Sequence, residues 1–304
     1  MNTVLNKYRL AVIGGGWSYE RDSNIFSAQS VAHELKRHKV KYKYIEIKPN
    51  FSIIKQLKSL RVDFAFLTVT EEVPIQPILD SLKIKYNGSN NSTTALLFNK
   101  RFTNIILSNC GVRTPFAVYL SKRNYCEANV NFDFPVIVKP VSCGESCGVS
   151  LVKNKGQLQK AINLAFRFDR EILIEKFING LEITIPILGS FVMPAVKIIS
   201  PISIWDYEHK DKLNVTMETI KKNKKLIEEI NSMVKKITNN FDLKSFWRID
   251  AIYKNNKLFL LEINTQPCLA KEGIISASCQ ELGWEYFDFL NKLLKESIKP
   301  SSHQ

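Results

Sequence analysis

Four polar side chains interrupt two otherwise apolar segments within residues 246–267, FWRIDAIYKNNKLFLLEINTQP. Read as strands over 246–254 and 258–264, the alternation of side chains puts Arg248 and Asp250 on one face of the first, and Glu262 and Asn264 on one face of the second. For the pairs to meet, Asp250 must stand opposite Glu262 and Arg248 opposite Asn264. A two-residue turn at Asn255-Asn256 would pair Asp250 with Leu261, and a slip of one residue sends a strand's side chains to the other face. The spacing therefore predicts a three-residue loop, Asn255 to Lys257, with an asparagine in the left-handed conformation. Two clustered carboxylates repel and are costly to bury unpaired, so they call for a cation. An oxygen set of two carboxylates and an amide suits Mg2+, which takes one or two carboxylates plus substrate phosphates. Arg248 beside them can hold a phosphate or a developing anion. An edge hairpin with a solvated polar face would show the same four residues, and from them alone both readings stand.

The elements that must position this hairpin begin with RLAVIGGG, residues 9–16, a buried strand running into a glycine turn. A helix follows over about 23–38, with Ser18 or Asp22 as its cap. Strands over 42–47 and 64–69 and a short helix over 53–60 complete a strand-helix alternation, which argues for an α/β layered domain ending near Ser89. Ligands of such sheets gather at the carboxyl ends of the strands, where Glu20, Arg21 and Asp22 lie, although a charged first helical turn explains them equally. A helix over 92–110 carries Lys100. VIVKP (136–140), SCGESCG (142–148) and a strand over 149–152 form a hairpin flap, whose small residues let backbone N–H groups close over phosphates; an ordinary flexible hairpin tip is the alternative. A helix over 155–168 leads to ILIEKFINGLEITIPIL, where Glu175 and Glu182 interrupt apolar strands. Leu226, Ile230, Met233 and Ile237 repeat at helical spacing and read as core beneath a lysine-rich face.

With 304 residues, 45% of them hydrophobic, the chain can bury a substantial core in two or three domains. No apolar run approaches the roughly 18–20 residues of a membrane span, and the first residues lack a signal-peptide cleavage pattern, so a cytoplasmic protein is expected. The six cysteines contain no CxxC pair, which indicates neither a zinc site nor a disulfide framework. A net charge of +14 raises nucleic acid as a partner, but the lysines are dispersed and not gathered with aromatics. No nucleic-acid or membrane partner is therefore expected.

Taken in order, GGGWSYERD, YNGSNNSTTALLFNK, VIVKPVSCGESCGVSLV, ILIEKFINGLEIT, WDYEHK and WRIDAIYKNNKLFLLEINTQP resemble the D-alanine-D-alanine ligases of the ATP-grasp superfamily. The resemblance implies an α/β fold, α+β in part, with ATP-grasp architecture. Residues 1–95 would form an N-terminal α/β domain binding the first amino acid, 96–185 a central domain carrying the flap, and 186–304 a C-terminal domain carrying the metal site. Lys100 and Lys139 would contact ATP phosphates, Lys210 would also bind ATP, and Glu175, Lys176 and Ile178 would frame the adenine. Glu182 would take the ribose hydroxyls, while the flap, with Ser142, Gly144, Glu145 and Ser146, would close over the phosphates. Asp250, Glu262 and Asn264 would hold two Mg2+ ions, with Mn2+ as a substitute, Arg248 would stabilise the transition state, and Glu20 would bind the ammonium of the first amino acid. Amino-acid substrates and a homodimer through the N-terminal domain are carried over with the family.

The chain departs from the family on the amino-acid side. Where the family flap has two adjacent serines, this one has Glu145 then Ser146, and Asp211 replaces the tyrosine that closes the YDYxxKY motif. The histidine-glycine motif after the third strand is missing from Leu67-Thr68-Val69-Thr70-Glu71, Cys268 replaces a glycine, and a later substrate serine aligns near Gly273. Glu145 and Asp211 brought together would repel by about 4 kcal/mol at roughly 4 Å and an effective dielectric of about 20. A cationic amino acid between them would relieve this; a drifted sequence that makes the usual dipeptide is the alternative. A nucleotide-binding pseudoenzyme and a nucleic-acid-binding protein on the same scaffold are the readings from other classes.

Overall fold

The computed structural model describes residues 3–48, 53–123, 132–199, 216–220 and 223–300, and among them the strands form three sheets. β1 (Leu10–Gly15), β2 (Tyr42–Ile47), β3 (Phe64–Leu67) and β4 (Lys85–Tyr86) lie parallel in the order β2-β1-β3-β4. β1 and β3 are buried along their whole length, as the inner strands of a covered parallel sheet require. The connections are α1 (Arg21–Arg37), α2 (Ile53–Leu60) and α3 (Gln76–Ser81). α1 starts earlier than expected, with Glu20 in the cap position and no side-chain cap bond. Ser18 Oγ accepts the Glu20 N–H at 3.3 Å and Asp22 lies inside the first turn, so neither caps the helix as expected.

The one helix expected over 92–110 is two, α4 (Asn91–Phe98) and α5 (Lys100–Asn109). Asn99 divides them: its side chain accepts the N–H groups of Arg101 and Phe102, each at 3.1 Å, and so caps a new helix. Lys100 thereby becomes the first residue of α5, and its backbone N–H donates to Val141 O at 3.1 Å.

β5 (Ala117–Ser121), β6 (Val136–Pro140), β7 (Ser150–Val152) and β8 (Glu171–Lys176) make an antiparallel sheet, ordered β5-β8-β6-β7. β6 and β7 are the arms of the flap, and α6 (Lys155–Ala165), three residues shorter than expected, packs Leu158, Ile162 and Ala165 beneath them. The third sheet contains β9 (Leu181–Leu188), β10 (Phe191–Val192), β11 (Val196–Ile199), β12 (Thr216–Thr219), β13 (Phe246–Lys254) and β14 (Lys257–Asn264), in the order β12-β11-β9-β13-β14 with β10 on β9. Beneath it lies α7 (Lys224–Thr238), whose buried residues are the expected Leu226, Ile230, Met233 and Ile237, packed with Trp247, Ile249 and Ile185. α8 (Ile274–Glu281) and α9 (Tyr286–Ser297) return to the N-terminal sheet, where Phe289, Leu290 and Leu293 share a core with Leu5, Val31 and Leu35.

The β13-β14 hairpin has the register its chemistry requires, with Arg248 opposite Asn264 and Asp250 opposite Glu262. It reaches that register by another route. The loop has two residues, not three: Lys254 pairs with Lys257, and both Asn255 (φ 50°) and Asn256 (φ 56°) are left-handed, the backbone of a type I′ turn. Ala251 then pairs with Leu260 while Asp250 pairs with Glu262, so Leu261 is an extra residue in a β-bulge. The bulge supplies the one-residue offset that the longer loop was expected to give.

Ile237 is fully buried against the third sheet. Ile237→Ala should lower stability by about 2–5 kcal/mol in denaturant titration, whereas a solvated lysine of the same helix, Lys235→Ala, should change it by less than about 0.5 kcal/mol. Equal effects would contradict the assignment of the buried face.

Candidate active site

The polar face of the third sheet is built by register. Arg248, Asp250 and Ile252 of β13 stand opposite Pro186, Thr184 and Glu182 of β9 on one side, and β14 brings Asn264 and Glu262 on the other. The intervening residues Trp247, Ile249 and Ala251 are fully buried on the opposite face. Arg248 binds Asp250 in bidentate fashion, Nε to Oδ1 at 2.9 Å and Nη2 to Oδ2 at 2.7 Å. Asn264 Nδ2 donates to Asp250 Oδ2 at 2.9 Å and reaches Glu262 Oε1 at 3.5 Å, and Thr184 Oγ1 donates to Asp250.

Two lysines approach this face from other elements. Lys100, at the start of α5, donates from Nζ to Cys143 O of the flap at 2.8 Å and lies 3.3 Å from Glu262 Oε2. Lys139 on β6 pairs with Glu175 of the neighbouring β8 at 2.7 Å, with both side chains buried. Burial alone would raise the pKa of Glu262, but Lys100, Lys139 and Arg248 outweigh it and hold the carboxylate below its ordinary value. Burial alone would lower Lys100, and Glu262 more than reverses that. Glu182 has less help: burial, then the charges of Asp250 and Glu262, push its carboxyl up to about 7.

Apart from the buried Thr184, these groups line a cleft of about 380 Å³, within the range of small-molecule sites. Its walls also include Lys176, Ile178, Gly144, Glu145, Ser146, Glu20 and Cys268. Glu20 is 6% exposed, and burial, then the charges of Glu71, Glu145 and Glu72, push its carboxyl up to about 8. Gly144 packs against it so closely that a Cβ there would overlap the Glu20 carboxylate. In the flap, Glu145 (φ 49°) and Ser146 (φ 59°) are both left-handed, a conformation that costs a non-glycine residue free energy.

Two expected residues stand apart from the wall. Ser142 turns its backbone N–H to Asp169 Oδ2 at 2.7 Å, and Gly273 faces Met217, 3.5 Å from where its Cβ would be. Lys210 and Asp211, and with them the expected approach of Asp211 to Glu145, lie outside the described residues. Sequence reasoning assigned no role to Glu71, Glu72 or Gln266. Glu71 and Gln266 line the cleft, and Glu72 carries charge to Glu20. The signal available was the position of Glu71 and Glu72 just past the carboxyl end of β3.

The family profile described as "D-ala D-ala ligase C-terminus" matches residues 113–295. The D-alanine--D-alanine ligase of Buchnera aphidicola subsp. Schizaphis graminum is 32% identical over 304 residues, covering 95% of this chain and 99% of that protein. The chain belongs to the D-alanine--D-alanine ligase family. A crystal structure of the Bacillus anthracis ligase superposes with a TM-score of 0.83 at 28% identity, covering 95% of this chain and 97% of that one. The same ligase complexed with ATP gives a TM-score of 0.82 at 26% identity, covering 96% and 97%. The fold is ATP-grasp, and the chain is an ATP-dependent, ADP-forming ligase.

Whether a divalent cation fits is decided by the donors. Among the described residues no three of His, Cys, Asp and Glu converge as a metal cage. Asp250 and Glu262 instead offer two carboxylates on one hairpin face, with the Asn264 Nδ2 turned toward both; once the Asn264 amide turns over, its oxygen joins them in the partial oxygen set that suits Mg2+ when substrate phosphates complete the shell.

The Glu20 carboxyl should titrate in carbon-detected NMR with a midpoint of about 8. Glu145→Gln, which removes one of the charges raising it, should lower that midpoint. A midpoint near the ordinary value of about 4 in the parent protein would contradict the arrangement.

Proposed function

We propose that this chain joins two molecules of D-alanine at the expense of ATP, supplying peptidoglycan precursor. One observation carries the reading: Lys100, Lys139, Arg248 and the paired carboxylates of the hairpin surround a single cleft. A carboxylate is a poor electrophile, so the γ-phosphoryl group is moved onto it, giving an acyl phosphate and ADP. The second amine then attacks the carbonyl and expels inorganic phosphate. Mg2+, held by Asp250, Glu262 and Asn264, supplies charge neutralisation at the phosphates when bound.

The chain's own residues do the rest. Lys100 and Lys139 hold phosphate oxygens, and Arg248 steadies the oxyanion that develops at the carbonyl. Glu175, Lys176 and Ile178 frame the adenine, and Glu182 accepts from the ribose hydroxyls. Glu20 takes the ammonium of the first amino acid, and the flap over 142–148 closes above the phosphates to exclude water. In this reading 1–95 serves the first amino acid, while 96–185 and 186–304 clasp ATP.

A cationic second amino acid is the alternative for the acceptor, resting on Glu145 in the cleft wall and on Asp211 in the sequence. A screen of ADP release across amino-acid pairs separates the two. Full turnover with D-alanine alone, and nothing gained with lysine, ornithine or diaminopropionate, rejects the cationic acceptor.

Glu262→Gln keeps the shape and removes the charge. With Mg-ATP and D-alanine it should lower kcat by about 10²-fold or more, read as coupled ADP release. Chelation of Mg2+ should abolish turnover and its return should restore it. No ADP and no dipeptide from the parent protein with D-alanine would overturn the proposed substrate.

A further inference from the structure

We propose that Glu71 is a positioning residue that sets the exit of the metal hairpin. The inference rests on the ligase reading above. Glu71 lies in the loop after β3 of the N-terminal sheet, yet it holds the far end of the metal hairpin. Glu71 Oε1 accepts the Thr265 N–H at 2.6 Å, the Gln266 N–H at 2.9 Å and the Thr265 hydroxyl at 3.2 Å. Thr265 is fully buried, Gln266 nearly so, and both follow directly on Asn264. Glu72 stands near Cys143 and Gly144 of the flap, which offset part of the burial that raises its carboxyl.

β14 ends at Asn264, so the backbone N–H groups of Thr265 and Gln266 have left the sheet ladder and need acceptors. Glu71 supplies one oxygen to both. Three donors converging on that atom give the chain past Asn264 a single direction, which fixes where the Asn264 and Glu262 side chains point. Lys100 completes the circuit, since it touches Cys143 O of the flap and Glu262 of the hairpin. Carboxylates that orient metal ligands from one step away change metal affinity by about 10- to 100-fold when lost.

All three bonds go to one oxygen, so an amide can replace the carboxylate without losing them, and the test uses that difference. Glu71→Ala should speed hydrogen exchange at the 265–266 amides by about tenfold or more, lower kcat, and raise the Mg2+ concentration for half-maximal activity by about tenfold. Its KM for ATP should change little, and Glu71→Gln should behave nearly as the parent in all of these. A purely structural role would lower Tm in Glu71→Ala while leaving the Mg2+ dependence alone. If Glu71→Ala is not recovered folded, Glu71→Asp, whose carboxylate is drawn back by one methylene, should show the same direction of change. Parent-like exchange at 265–266 together with parent-like Mg2+ dependence, in whichever of the two is folded, overturns the proposal. Loss of turnover in the parent protein itself would instead count against the ligase reading, so the two failures are distinguishable.

Discussion

Two carboxylates placed side by side on a buried sheet face cannot both stay ionised without cations around them, and much of this molecule is arranged by that constraint. Asp250 and Glu262 face each other across the hairpin, and Arg248 neutralises the first with two parallel bonds from the same strand. Lys100 comes to the second from the start of a separate helix, and Lys139 adds its charge from another sheet. Breaking such a pair by removing one partner costs far more than its net contribution suggests, because the remaining charge is left buried.

The elements that deliver these groups explain the architecture. Asn99 interrupts a helix so that Lys100 falls at a helix start beside the flap. β6 and β8 put Lys139 and Glu175 together, and β9 carries Glu182 and Thr184 alongside β13. The N-terminal sheet contributes Glu20 at the end of its first loop and Glu71 and Glu72 past its third strand. The cleft thus draws on all three sheets, and the C-terminal helices α8 and α9 hold the first to the third through a shared core.

What was legible in the sequence follows from what leaves a pattern there. Strand alternation is strictly two-fold, so the facing of Arg248, Asp250, Glu262 and Asn264 could be read directly, as could the buried stripe of α7. The bulge at Leu261 left no trace, since an extra leucine among leucines suits either face; the asparagine pair showed the turn but not how the register would be reset. Asn99 is a polar residue inside a helical pattern, and nothing local marks it as a cap until its side chain is seen to accept two backbone N–H groups. Glu71 was illegible for a different reason. Its partners are backbone amides nearly two hundred residues away, and backbone groups carry no sequence signature.

The central claim is that the first carboxylate is activated by transfer of the γ-phosphoryl group, and oxygen tracing tests it most directly. With D-alanine labelled by 18O in both carboxyl oxygens, Mg-ATP and the protein, the acyl phosphate route moves one labelled oxygen into each inorganic phosphate released. Mass analysis of that phosphate should show one 18O atom per dipeptide bond formed. Phosphate free of label, with dipeptide still accumulating, would contradict the account.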